Sequence, residues 1–158
     1  MIVYPSDTEN SSNGDIPDYR NDDYYNVNYS RAEISSYLKR VKDCIRAGRF
    51  IVLNNEDGNR ESRKKNYDFM LKYGLYTKES QEAKLLSLDV ENFCHTVQSS
   101  TSETLYVFCA QWSLYRAGSG PCSIYVYIKH NCPEGIEVTD VVVSMHELEK
   151  PIELIFVD

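Results

Sequence analysis

The hydrophobic period of this chain changes partway along, and that change limits what it can fold into. Between Ser30 and Leu86 apolar residues recur every three or four positions, whereas beyond Thr104 they alternate or run together in blocks of β-branched and aromatic residues. A repeat of 3.6 gives a helix with one buried face, and a repeat of two gives a strand with one buried face. The first half therefore predicts helices and the second half a sheet.

Ser30 followed by Glu33 reads as a capping box, after which Ile34, Tyr37, Leu38, Val41 and Ile45 share one helical face. Ala47-Gly48 ends that helix. Phe50-Ile51-Val52-Leu53 fits a strand or an extended link, stopped by Asn54-Asn55-Glu56-Asp57-Gly58. A second helix is expected over about 60–73, with Tyr67, Met70 and Leu71 inward and Gly74 as its stop. Thr77, with Ser80 and Gln81, opens a third through Ala83, Leu85 and Leu86. Thr104–Trp112, Cys122–His130 and Val138–His146 then predict strands separated by Gly/Pro turns, and Ile152–Val157 a short edge strand. Helices first and an antiparallel meander after, within 158 residues, predict one α+β domain.

Residues 1–29 stand apart as an acidic arm rich in Tyr, Asn and Asp, with Pro5 and Pro17 and no sustained period, so the domain is expected over 30–158. The tyrosines Tyr4, Tyr19, Tyr24, Tyr25 and Tyr29 suit the arm to docking, either on its own domain or on a partner.

Composition narrows the class. No apolar run approaches the ~18 residues that span a bilayer, and the first residues lack the basic region and apolar stretch of a secretory signal, so a cytoplasmic protein with no membrane association is expected. The cysteines (Cys44, Cys94, Cys109, Cys122, Cys132) are odd in number and hold no CxxC pair, which favours reduced thiols. The net charge of −7 is uneven: residues 37–129 carry 14 Lys/Arg against 10 Asp/Glu, and both flanks are acidic. A basic middle between acidic ends fits nucleic-acid contact, and equally fits ordinary surface variation.

The chain has no GxGxxG, GxxxxGK[ST], GxSxG or HExxH motif. Cys122, His130 and Cys132 match no standard zinc spacing, so neither a metal nor a cofactor is expected. Polar groups on the strands remain. By the period of two, Tyr125, Tyr127 and Lys129 oppose the apolar Ile124, Val126 and Ile128, and His146 shares a face with Val142 and Ser144. Neighbouring strands could thus set Tyr, Lys and His on one exposed sheet surface. Such a surface offers a cation for phosphate, aromatic faces for bases and an imidazole for proton transfer. It also fits a solvated face beneath the arm. His95 follows Phe93-Cys94, and Arg60, Arg63, Lys64 and Lys65 form a basic cluster that suits either RNA phosphates or solvent.

From Tyr37 onward the chain resembles MqsR-like toxins of bacterial type II toxin–antitoxin systems. The matching stretches are Tyr37–Lys42 with Gly48-Arg49-Phe50, Asn66 with Gly74-Leu75, Leu86–Phe93, Tyr106-Val107-Phe108, Ile124–Lys129 and Ser144-Met145-His146-Glu147. The resemblance implies a RelE-like fold of N-terminal helices followed by an antiparallel sheet. It also implies a metal-independent endoribonuclease that cleaves mRNA by attack of the ribose 2′-hydroxyl. Carried over by position, it makes His146, His95, Tyr125 or Tyr127, and Lys129 the catalytic candidates; the basic residues Arg60, Arg63, Lys64, Lys65 and Arg116 are, from their charge, the candidate RNA contacts. The implied partners are RNA and a cognate antitoxin protein, with homodimerisation left open. The alternative is a non-catalytic binding or inhibitor protein that uses its acidic arm and tail to engage a partner.

Overall fold

The structure is a computed structural model in which residues 1–6, 25–54, 61–99, 101–116 and 118–158 are described. The elements run β1 (Ile2–Val3), α1 (Arg31–Arg46), β2 (Phe50–Val52), α2 (Glu61–Lys72), α3 (Lys78–Leu85), a 3₁₀ turn at Val90–Asn92, β3 (Phe93–Gln98), β4 (Thr104–Tyr115), β5 (Pro121–Asn131), β6 (Asp140–Glu147) and β7 (Ile152–Glu153). Among the described residues no helix is long and apolar enough to cross a membrane.

Local signals account for the helix ends. The Ser30 side chain accepts from the Glu33 N–H while Glu33 accepts from the Ser30 N–H, which closes the capping box of α1. At the other end Gly48 takes φ 75, so the Arg49 N–H reaches Cys44 O and the Gly48 N–H reaches Ile45 O. This double return satisfies carbonyls that the helix itself leaves unpaired. Thr77 caps α3 by accepting from the Ser80 N–H. Among the described side chains of α2 the buried ones are Asn66, Phe69 and Met70, while Leu71, expected inward, is 54% exposed.

Five strands form one sheet in the order β2-β6-β5-β4-β3, and β2 runs parallel to β6 with Phe50 opposite Asp140 and Val52 opposite Val142. This overturns the expected RelE-like arrangement of N-terminal helices followed by an antiparallel sheet. Among the described residues one helix precedes β2, the first strand of the five-stranded sheet, and α2 and α3 lie in the connection between β2 and β3. The physical reason lies in β2 itself, which buries Phe50 and Val52 in the main core and places its backbone along the free side of β6. A parallel pair needs a long crossover, so helices fall between its strands.

The sheet has two unequal covers. Against one face, α1, α2 and α3 bury Ile34, Tyr37, Val41, Ile45, Met70 and Leu85 on Phe50, Phe93, Phe108, Trp112, Val126, Ile128 and Met145. On the other face β1 and β7 pair antiparallel, and Val3, Ile152 and Leu154 cover Val107 and Cys109. The run Leu105–Ala110 is apolar without alternation because β4, in the interior of the sheet, is buried on both sides. Arm residues Tyr25 and Tyr29 lie against β3: Asn26 bridges Thr96, and the Tyr29 and Thr96 hydroxyls are 2.9 Å apart.

Candidate active site

Strand β6 carries one extra residue. Lys129 faces Ser144 and His130 faces Val142, which leaves Val143 as a bulge. Val142 therefore joins the helix-side core, while Ser144 and His146 turn to the opposite face. The expected grouping of Val142 with His146 on one face is corrected by that single residue. The bulge falls where β2 ends, and there the side chain of Asn66 takes over as a pairing partner. Its amide donates to Leu53 O (2.7 Å) and Val143 O (2.9 Å), and its oxygen accepts from the Met145 N–H (2.8 Å). Asn66 is fully buried.

Asn66 thereby fixes α2 along the open side of β6. Lys65, Asp68, Phe69 and Lys72, spaced i, i+3, i+4 and i+7, then face His146, Glu147 and Glu149 across a cleft of about 250 Å³. The His146 ring stacks on Tyr127, with centroids 5.4 Å apart and planes at 20°. Its Nδ1 lies 2.9 Å from Glu147 O. A carbonyl only accepts, so Nδ1 carries the ring proton and the lone pair stays on Nε2. Burial lowers the His146 pKa, outweighing the lift from the Glu147 carbonyl and Glu149, and Lys65 and Lys129 push it the same way as burial. A neutral imidazole with its lone pair on Nε2 is a proton acceptor.

Lys129 sits one cross-strand pair from His146, because Tyr127 faces His146 and Lys129 faces Ser144. Lys129 is half-buried, and burial lowers its pKa. At Glu147 burial raises the carboxyl, but hydrogen bonds from Tyr73 (2.6 Å) and Lys72 (2.9 Å) outweigh it, so the net shift is downward, and Arg116 adds to it. Lys65 donates to Glu149 at 2.8 Å.

Tyr127, Lys129 and His146 thus come together, with Lys65 and Lys72 on the facing helix and Arg116 within electrostatic reach of Glu147. Tyr125 shares their face one pair along, opposite Gln111, packed against the small second core. His95 does not join them. It lies on the far edge strand opposite Val107, with β4 and β5 in between, buried to 2% against the Tyr25 ring at 4.7 Å. Arg63 and Lys64 do not line the cleft, and Arg60 lies outside the described residues. Cys122 is the second residue of β5 and His130 the last but one, so the two stand near opposite ends of that strand. Among the described residues no His/Cys/Asp/Glu group has the arrangement of a metal site.

His130 belongs to a separate buried cluster behind α1. Asp140 Oδ1 lies 2.9 Å from its Nδ1, and the Tyr37 hydroxyl lies 3.1 Å from the same atom. Burial, followed by the charge of Asp140, pushes the Tyr37 hydroxyl well up. All three side chains are at most 2% exposed, so this cluster holds α1 to the sheet and offers no surface to a substrate.

Lys72, Tyr73, Asp68 and Glu149 were absent from the sequence-derived site. The signal that could have found the first and third is the i, i+3, i+7 spacing of Lys65, Asp68 and Lys72. Comparison of the chain with protein-family models, curated proteins and solved structures found no match.

Proposed function

We propose that this chain is a metal-independent endoribonuclease acting on RNA in the cytoplasm, the activity that its resemblance to MqsR-like toxins implies, with an antitoxin protein as its natural restraint. The observation that carries the assignment is the anchored His146 imidazole beside Lys129. His146 Nε2 accepts the proton of a ribose 2′-hydroxyl, and the resulting alkoxide attacks the adjacent phosphorus. Lys129 lies next to the developing charge. Its lowered pKa eases transfer of a proton to the departing 5′ oxygen. Tyr127 fixes the imidazole plane and presents an edge to a base, and Lys65, Lys72 and Arg116 meet flanking phosphates. The products are a 2′,3′-cyclic phosphate and a free 5′-hydroxyl.

The test is incubation of purified protein with long single-stranded RNA in excess EDTA, with His146→Ala alongside. Cyclic-phosphate ends from wild type, and a loss of about 10²–10⁴-fold in rate in a folded His146→Ala, are expected. Intact RNA from the wild-type chain overturns the proposal. It would favour a non-catalytic binding protein, for which the carboxylates Asp68, Glu147 and Glu149 in the cleft are the supporting observation.

A further inference from the structure

Both lysines that line the cleft are already engaged. Lys72 is held by Glu147, which Tyr73 also grips from the core side. Lys65 is paired with Glu149, and the two carboxylates are built differently. Glu147 ends β6 and receives two hydrogen bonds, whereas Glu149 lies in the short link between β6 and β7 and is 49% exposed on its side chain. The link is pinned on either side of Glu149. Leu148 is buried and its N–H donates to Tyr125 O, and Pro151 precedes β7. Its neighbour Lys150 is exposed, so Glu149 can swing outward without disturbing the core.

The Glu149 Oε1 atom sits 2.8 Å from Lys65 Nζ and 3.6 Å from His146 Nδ1. One anionic oxygen between an ammonium and an imidazole is the arrangement a phosphodiester oxygen would adopt while its 2′-hydroxyl meets the same histidine. We propose that Glu149 is an intramolecular stand-in for substrate phosphate, closing the cleft until an RNA phosphate displaces it. This rests on the ribonuclease assignment and adds its regulation: the resting site is neutralised by its own chain, and RNA binding is an exchange of one anion for another. Exposed ion pairs of this kind hold weakly, so the carboxylate yields to a polyanion that makes several contacts at once. An acidic protein has a reason to hold such a device, because it restricts the cleft to ligands that bring more than one phosphate.

The experiment measures binding of a short single-stranded RNA bearing 2′-O-methyl groups, which cannot be cleaved, by fluorescence anisotropy. Wild type, Glu149→Gln and Glu134→Gln are compared. Glu134 lies in the exposed turn between β5 and β6, far from the cleft, and matches the charge change. Glu149→Gln is expected to bind about two- to five-fold more tightly than wild type, the range an exposed ion pair supports, with Glu134→Gln close to wild type. Wild-type binding with Glu149→Gln no tighter, or with Glu134→Gln equally tightened, overturns the stand-in role and leaves the ribonuclease assignment in place. Absence of binding by all three chains overturns the assignment, and the stand-in role with it.

Discussion

Replacing Asn66 with Ala should be among the most damaging single changes on α2, although the side chain it removes is polar and small. The amide makes three hydrogen bonds at 2.7, 2.8 and 2.9 Å, all to backbone, and the side chain has no solvent exposure. Truncation leaves the Met145 N–H buried without an acceptor, at a cost of about 1–3 kcal/mol. Leu53 O and Val143 O are partly buried and each has a second lone pair, so each adds roughly 0.5–1 kcal/mol. The expected loss is therefore about 2–5 kcal/mol, large beside the ~5–15 kcal/mol that holds most domains folded. For a chain of this size it corresponds to about 2–4 °C in Tm per kcal/mol. Urea unfolding followed by the fluorescence of Trp112, the sole tryptophan, reads the loss directly. Asn54→Ala is the control, because its exposed side chain makes one bond, to Val52 O, and should cost less than about 0.5 kcal/mol. Hydrogen exchange adds a local check: the Met145 amide should lose protection ahead of its neighbours in β6. A loss under about 1 kcal/mol in Asn66→Ala, or unchanged protection at Met145, would refute the view that this amide substitutes for a missing strand.

Three further outcomes follow from the same geometry. The Glu147 carboxyl lies below its ordinary value because Tyr73 and Lys72 donate to it, so its contribution to stability is present above the ordinary glutamate range and fades as pH falls through the lowered value. Tyr73→Phe should move the Glu147 titration upward in an NMR pH series and bring the acid-side loss of stability to higher pH. Because the His146 pKa is lowered, the acid limb of the cleavage rate should fall only below about pH 6.5, the ordinary histidine value; a limb centred above that pH would show that His146 is not the base. Burial pushes Cys109 and Cys132 up to about 12 and Cys94 well up, so iodoacetamide on the folded protein should label the more open Cys122 first, with the remaining thiols reacting fully only in denaturant.

The sequence pattern carried the elements better than their pairing. The capping box at Ser30, the stops at Gly48 and Gly74, and the alternation of Ile124, Val126 and Ile128 are local, and each is found where local chemistry puts it. Strand β3 was missed because Phe93–Gln98 is nearly all buried and has no alternation to read. The parallel β2–β6 pair was missed for a different reason: three residues select a partner far along the chain through core side chains and the Asn66 bridge, and no periodicity records that choice. For the candidate site, the shared face of Tyr125, Tyr127 and Lys129 follows from the period of two. The correct partners of His146 do not, because the bulge at Val143 shifts the period within β6. The face was also expected to be open. Val3, Ile152 and Leu154, drawn from opposite ends of the chain, cover much of it, and no local pattern announces such a cover.

The β2–β6 pair also sets a schedule for the chain as it leaves the ribosome. About ninety residues separate Phe50 from Asp140, which at roughly 5–20 residues per second takes about 5–20 s to translate. Throughout that interval Phe50 and Val52 have no slot to enter, and α1 has only part of the surface it will cover. Contacts so distant in sequence form late, and apolar segments left waiting are where nascent chains go astray. A strand of three residues keeps that hazard small, since it offers little edge for a stray chain to copy. The sheet therefore closes from its last large strand backward: until β6 emerges, the first strand of the sheet has nothing to join.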